Sequence, residues 1–271
     1  MKKIIGFNQG QIGDLAINMI PCKSIKNMFP DCHLIFSINK KYSSAVPIFY
    51  HNPLIDEIKI WDGYDNWPTE EDKKWINENK IDIFFNPMQP VRDNEWFLKR
   101  HHTEEVCLMH GISPPNDLQI KFNKYFDTFE KYKNCVAISP FTSAGSQRDI
   151  PYEIAEKIVN YIHSLGLETI QLGIQSHPQL PTTYKISGGT IFEDVKIALS
   201  CKFLITADTG INYLMSGYEH KVFGLYCYSC YPKRPPIKNR IPWNKNAIYL
   251  EDKNIIDIPL DLIYNTIVKL L

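Results

Sequence analysis

Short runs of β-branched and aromatic residues alternate with longer amphipathic stretches almost from one end of this chain to the other. That alternation points to strand–helix–strand units around parallel sheets, because a parallel pair needs a crossover long enough to hold a helix. In the first half it predicts strands over residues 3–7, 34–38, 58–61 and 81–86, with helices over 14–29, 43–51, 70–79 and 94–110. The pattern breaks between 111 and 134, where Ser113-Pro114-Pro115-Asn116-Asp117 leads into a polar, aromatic stretch without a clean period. It then restarts with strands over 135–139, 168–172, 203–206, 222–226 and 247–250, and helices over 152–165, 192–201, 210–217 and 257–271. The expected organisation is an N-terminal Rossmann-like domain over 1–120, a connector over 121–134 and a C-terminal Rossmann-like domain over 135–256. A closing helix over 257–271 is expected to pack back across the domain junction.

With 271 residues, 44% of them hydrophobic, the chain can bury a core in each half. Thirty basic and thirty acidic residues cancel, which argues against nucleic acid or an anionic membrane as a partner drawn in by the whole-molecule field. No secretory signal and no membrane-spanning run is legible, so a cytoplasmic location is expected, with peripheral membrane contact left open. The seven cysteines are odd in number and mostly lie in apolar segments, as small core residues do in a reducing compartment. Cys227-Tyr228-Ser229-Cys230 is the single C-x-x-C, with packing as its expected role in the absence of a second ligand pair.

Three strand-to-helix turns carry groups suited to chemistry. Asn8-Gln9-Gly10-Gln11-Ile12-Gly13-Asp14 follows the first strand and opens the first helix. Gly10 and Gly13 let backbone approach a ligand, and Asp14 reads either as a first-turn carboxylate that stabilises the helix or as a general base. Neither a dinucleotide fingerprint nor a phosphate loop is present there. Ser139-Pro140-Phe141-Thr142-Ser143-Ala144-Gly145-Ser146-Gln147-Arg148-Asp149 offers hydroxyls, backbone donors and a forked cation that would suit a diphosphate, or else it is an ordinary loop with a surface arginine. Phe203-Leu204-Ile205-Thr206-Ala207-Asp208-Thr209-Gly210 runs a buried strand straight into a helix start. Thr209 and the amides after it can meet phosphate there, while Asp208 accepts from a hydroxyl or caps the turn. An aspartic-protease reading of Asp-Thr-Gly fails, since that chemistry needs two such loops in an all-β setting.

Order and spacing together resemble the heptosyltransferase-like glycosyltransferases, of the glycosyltransferase family 9 type. The resemblance rests on Ile12-Gly13-Asp14-Leu15 through Pro21, on Lys26-Asn27-Met28-Phe29-Pro30-Asp31 and on Asn52-Pro53-Leu54-Ile55-Asp56-Glu57-Ile58. It continues through 139–151 and, without gaps, 192–214. It implies the α/β GT-B fold, two facing Rossmann-like domains with parallel sheets and an interdomain cleft. It further implies metal-independent transfer of a heptose-like sugar or a hexose from a nucleoside-diphosphate sugar, ADP-linked by preference and bound as substrate without a cofactor, to a glycan or glycolipid hydroxyl.

Carried over by position, the family's base falls on Asp14, with Gly10 and Gly13 on the acceptor side. Donor contacts fall on Thr142, Ser143, Ala144, Arg148, Asp208, Thr209, Gly210 and Tyr213, with the adenine framed near Gly189. Two positions depart from the family pattern: Arg148 stands for its lysine and Tyr213 for its histidine. A nucleotide-sugar binding protein without turnover, and a nucleotide-sugar epimerase or hydrolase, are the alternatives. His101, His102, His110 and His177 fit no motif of the latter class. Lys23, Lys26, Lys40 and Lys41 read as a solvated helix face or as contacts to an anionic acceptor, and Tyr228 and Tyr231 as core residues or stacking platforms.

Overall fold

The computed structural model describes residues 2–6, 11–61, 69–85, 100–109, 111–142, 147–185, 188–230 and 236–271. The chain forms two compact units, Met1–Asn123 with Lys238–Arg240, and Lys124–Ile237 with Ile241–Leu271. The stretch over 121–134 is divided between them. Phe122 packs edge-on to Phe49 in the first unit, whereas Phe126 meets Phe192 and Tyr218 in the second.

The first unit runs β1 (Lys3–Gly6), α1 (Ile12–Ile17), α2 (Met19–Met28), β2 (His33–Asn39), a 3₁₀ turn over Lys40–Ala45, and α3 (Val46–Phe49). It continues through β3 (Glu57–Trp61), α4 (Glu70–Glu78), β4 (Ile83–Phe85) and α5 (His102–Met109). All four strands are parallel, in the order β3-β2-β1-β4. The single helix predicted over 14–29 is two helices, broken at Asn18. Pro21 is the cause: it has no amide for the carbonyl of Ile17 four residues back, and its ring would collide with that carbonyl. The helix predicted over 43–51 is likewise a 3₁₀ turn followed by a single α turn, with Pro47 at its start. Of the helix predicted over 94–110, residues 94–99 and 110 lie outside the described residues.

The second unit runs β5 (Cys135–Ser139), α6 (Tyr152–Ser164), β6 (Glu168–Gln171), α7 (Ile191–Ser200), β7 (Leu204–Thr206), α8 (Gly210–Gly217), β8 (Val222–Cys227), β9 (Ala247–Asp252) and α9 (Leu260–Leu270). Its strands are all parallel, in the order β6-β5-β7-β8-β9. Every residue of β5, β7 and β8 is buried, as expected of parallel strands covered on both faces. Because side chains alternate along a strand, Val136, Ile138, Ile205, Phe223 and Leu225 share one face. There they form a core with Ile154, Ile158 and Ile162 of α6 and Ile263, Ile267 and Leu270 of α9. Stacked rings of Tyr161 and Tyr264, 4.1 Å apart, join those two helices, and Lys221 Nζ donates to Leu270 O at 2.8 Å, so α9 is built into this unit's own core. α7 begins in a reciprocal cap: Glu193 N donates to Thr190 Oγ1 and Thr190 N to Glu193 Oε2.

Between α8 and β8 sits His220, whose Nε2 is buried without a hydrogen-bond partner. Burial, followed by the charges of Lys221 and Lys124, lowers its pKa from 6.5 to about 4. The folded value lies below the unfolded one, so as pH falls the unfolded chain takes up the proton first. Stability present above pH 6.5 is therefore lost down to about pH 4. With partial exposure allowed for, the loss is on the order of 2 kcal/mol. Denaturant unfolding of His220→Gln, measured above and inside that window, should show a smaller decline than the wild type. Parallel declines would show that His220 is not responsible.

Candidate functional site

The second unit's strand order reverses beside β5. From β5 the chain crosses to β6 on one side, and from β7 it continues to β8 on the other, so the loops leaving β5 and β7 diverge and leave a crevice at their carboxyl ends. The two strands end level. Ser139 pairs with Thr206, Ser139 O accepts from Ala207 N at 3.2 Å, and Thr206 Oγ1 donates to the same oxygen at 3.3 Å. Both glycine-containing turns singled out in the second half therefore start at one height on adjacent strands.

The loop after β5 is pinched at its neck. Ile150 N donates to Pro140 O at 2.8 Å, and Thr142 N to Asp149 Oδ1 at 2.6 Å. Ser143 and Ala144 lie outside the described residues. On the far limb, Arg148 Nη1 stands 3.9 Å from Asp208 Oδ2, linking the two turns, with Arg148 about 41% exposed and Asp208 about 11%. An ion pair this open contributes about 0–1 kcal/mol, so stability alone gives little reason for the pairing. What the pair does is set a guanidinium at the rim of the crevice.

Thr209, extended at φ −127°, is the cap residue of α8, yet it provides no side-chain cap. Its hydroxyl is 2.9 Å from Thr206 Oγ1 instead. The leading amides of a helix have no partner within it, and here the turn presents those of Gly210 and Ile211 uncapped by that hydroxyl. α8 is held in place from below. Asn212, fully buried, donates to Tyr226 Oη at 2.5 Å and accepts from Tyr249 Oη at 3.2 Å, and Ser216 Oγ is 3.5 Å from the same Tyr249 hydroxyl. Gly224 makes room, since a Cβ there would lie 2.4 Å from the Tyr249 ring. Burial pushes the Tyr249 phenol well above its usual range, so it stays a neutral donor. Tyr213, one residue past this lock, is half-buried.

Gly189 also belongs to this unit, in the loop before α7. The glycine with a special backbone there is its neighbour Gly188, at φ +58°, where a Cβ would fall 2.3 Å from Gln175 Cγ. His177 lies against Phe141 with ring centroids 5.6 Å apart; burial lowers its pKa, and Asp149 opposes that. Sequence reasoning did not single out Asp149, Gln147 or Asn212. Asp149 stands two residues before Pro151, a turn-forming context that could have flagged it, whereas Asn212 gains its role only from β8 and β9.

In the first unit, Gly13 and Asp14 lie in the first turn of α1, and Asp14 Oδ2 accepts from Gln11 N at 2.7 Å. Gly10 lies outside the described residues. Lys23 is bound to Asp117 at 2.8 Å, and Lys26 to Asp56 at 2.6 Å and to Cys32 O at 2.7 Å, so both ammonium groups serve the unit's own packing. His101 Nδ1 is 2.8 Å from Thr103 Oγ1 at the start of α5. Side-chain placements of His102, His110 and Tyr231 fall outside what is described. Among the described residues no three of His, Cys, Asp and Glu are grouped to hold a metal ion, and no helix is long and apolar enough to cross a membrane.

The fold is that of glycosyltransferases with two Rossmann-like units. No family model matches the chain, and no curated protein matches it in sequence. Among solved structures, it is similar to a glycosyl transferase family 9 protein from Veillonella parvula DSM 2008 at TM-score 0.77 and 16% identity, covering 99% of this chain and 96% of that one. It is similar to the ADP-heptose LPS heptosyltransferase II of E. coli at TM-score 0.75 and 11% identity, over 100% and 98%. It also matches the E. coli heptosyltransferase WaaC with ADP, at 0.71 and 9% over both full lengths. The expected α/β fold, with two Rossmann-like units built on parallel sheets, is thus the one observed.

Asp149→Ala removes a charge-assisted acceptor from Thr142 N, at a cost of about 1.5–3 kcal/mol. Amide exchange at Thr142 and Ile150 should quicken while the core of α6 stays protected. Unchanged exchange at both amides would mean that this bond does not hold the loop.

Proposed function

We propose that this chain is a glycosyltransferase that binds a nucleoside-diphosphate sugar, ADP-linked by preference, on its second unit and transfers the sugar to a hydroxyl of a glycan or glycolipid. The observation that carries the reading is the convergence, at the β5/β7 strand-order reversal, of the loop bearing Arg148 with the Asp208-Thr209-Gly210 turn that opens α8. A diphosphate needs hydrogen-bond donors and positive charge within one small crevice. A helix start together with a guanidinium supplies both. The fold shared with heptosyltransferase structures supports the same reading.

Departure of a nucleoside diphosphate puts growing negative charge on the leaving phosphate. Arg148 and the α8 amides would then bind the transition state more tightly than the ground state. Thr142, with Ser143 and Ala144 beyond it, would supply further phosphate contacts. Asp208 would accept from a sugar hydroxyl while keeping the Arg148 guanidinium oriented, and Gly189 would border the base. Asp14 is the proposed general base, taking the proton of the acceptor hydroxyl. Its bond to Gln11 N does not exhaust a carboxylate, which offers about four acceptor positions. The chemistry proposed needs neither a cofactor nor a metal ion, and a cytoplasmic location is consistent with it. A second reading, donor capture without transfer, is favoured by one observation: Tyr213 occupies the position where the family has histidine.

Asp14→Asn keeps an acceptor for the helix cap but removes the base. Turnover should fall by about 10²–10⁴-fold with donor affinity nearly unchanged. Wild-type turnover in this variant would remove Asp14 from the mechanism. Arg148→Ala should weaken nucleotide-sugar binding, read by calorimetry, by about tenfold or more. Full affinity would move the donor site elsewhere. Donor binding with no transfer across an acceptor panel would select the second reading.

A further inference from the structure

The two cysteines assigned to packing by their sequence context meet at the edge of the same crevice. Cys227 ends β8 and Cys230 follows in a tight turn, and their sulfurs are 3.3 Å apart. The turn is tethered to the strand beside it: Tyr228 N donates to Asp252 O at 3.1 Å, Ser229 N to Lys253 O at 3.0 Å, and Ser229 Oγ to Asn254 Oδ1 at 3.0 Å. With the turn anchored, the two thiols are held face to face and need to close only to about 2.05 Å to bond. Cys227 Sγ also donates to Gln147 O at 3.0 Å, so the thiol is part of what fixes the limb carrying Arg148.

This pair differs from the other five cysteines. Burial pushes the thiols of Cys22, Cys32, Cys107, Cys135 and Cys201 up, which makes them poor nucleophiles. The contact with Cys230 instead lowers Cys227, while the same contact, together with burial, raises Cys230. Cys227 is therefore the sulfur of the pair that ionises first. A metal shell would need further ligands, and among the described residues none completes one.

We infer that Cys227 and Cys230 form a redox-active dithiol that closes to a disulfide by exchange with a small-molecule disulfide, and that closure releases the limb at Gln147 and Arg148. Cys227, the thiol whose pKa is lowered, gives its proton to water and attacks R–S–S–R, breaking that bond and expelling one thiolate, which takes a proton from water. Cys230, the more exposed of the two, then gives its proton to water and attacks the Cys227 sulfur of the mixed disulfide, and the second R–S⁻ leaves and is protonated. The two protein thiols lose two electrons and two protons, and one small disulfide becomes two thiols. In the closed form Cys227 has no proton to donate to Gln147 O. Any effect on donor binding rests on the reading proposed above, whereas the disulfide and the loop response do not.

The test uses the full chain, reduced and then equilibrated in glutathione buffers of increasingly oxidising poise. Peptide mapping under acid quench should find one disulfide, Cys227–Cys230, with the other five cysteines still reduced. Hydrogen exchange of the peptide over 147–151 should quicken several-fold on closure and return with dithiothreitol. Cys230→Ser, and separately Cys230→Ala, should abolish the disulfide. A protein that stays reduced at the most oxidising poise, or that stops at a glutathione adduct, overturns the inference, as does a disulfide that leaves exchange over 147–151 unchanged. In parallel, oxidised wild type should bind ADP several-fold more weakly than reduced. If reduced protein binds neither ADP nor an ADP-sugar, the donor reading fails while the dithiol result stands by itself.

Discussion

The C-terminal unit is organised by the double pairing of β5, which is buried along its whole length and bonded to β6 on one side and β7 on the other. A fully buried strand inside a parallel sheet needs cover on both faces. α6 and α9 supply it on one face. On the other face, where Tyr226 points, α8 is joined to the sheet through Asn212. Once β5 is central, the chain must leave it and β7 in opposite directions, and a crevice at their ends follows from topology alone.

The polar interactions around that crevice each do two things. Asp149 closes the neck of one loop and positions the limb that carries Arg148, and Asp208 meets that same guanidinium from the neighbouring strand. The cluster of Asn212, Tyr226, Tyr249 and Ser216 satisfies buried polar groups and also fixes the angle at which α8 presents its first turn. Such a cluster is costly to bury unless its members are paired, and once paired it admits few alternative packings. Rigid placement of this kind suits a site that has to hold donors where charge develops.

Most strands and helices were legible in the sequence, because period and punctuation are local. β5 and α8 match their expected bounds, and α7 begins one residue before its expected start. Errors came where one residue overrode a periodic pattern. Pro21 splits what reads as one amphipathic helix, and Pro47 cuts another to a single turn. At the site, Arg148 and Asp208 were legible as chemistry but not as partners, since sixty residues of chain separate them. Gly189 was singled out by position, while the left-handed backbone belongs to Gly188, where the Gln175 side chain leaves no room for a Cβ.

Composition, periodicity and turn residues determined by themselves that this is an α/β chain of two parallel-sheet units with polar turns after its strands. Those properties depend on contacts between near neighbours along the backbone. Which turns share a crevice, that Thr209 bonds Thr206 rather than capping its helix, and that Cys227 and Cys230 face each other beside Gln147 were decided only by tertiary structure. The physical reason is strand order: it is set by how whole strands and helices bury one another, and no local window of the sequence contains it.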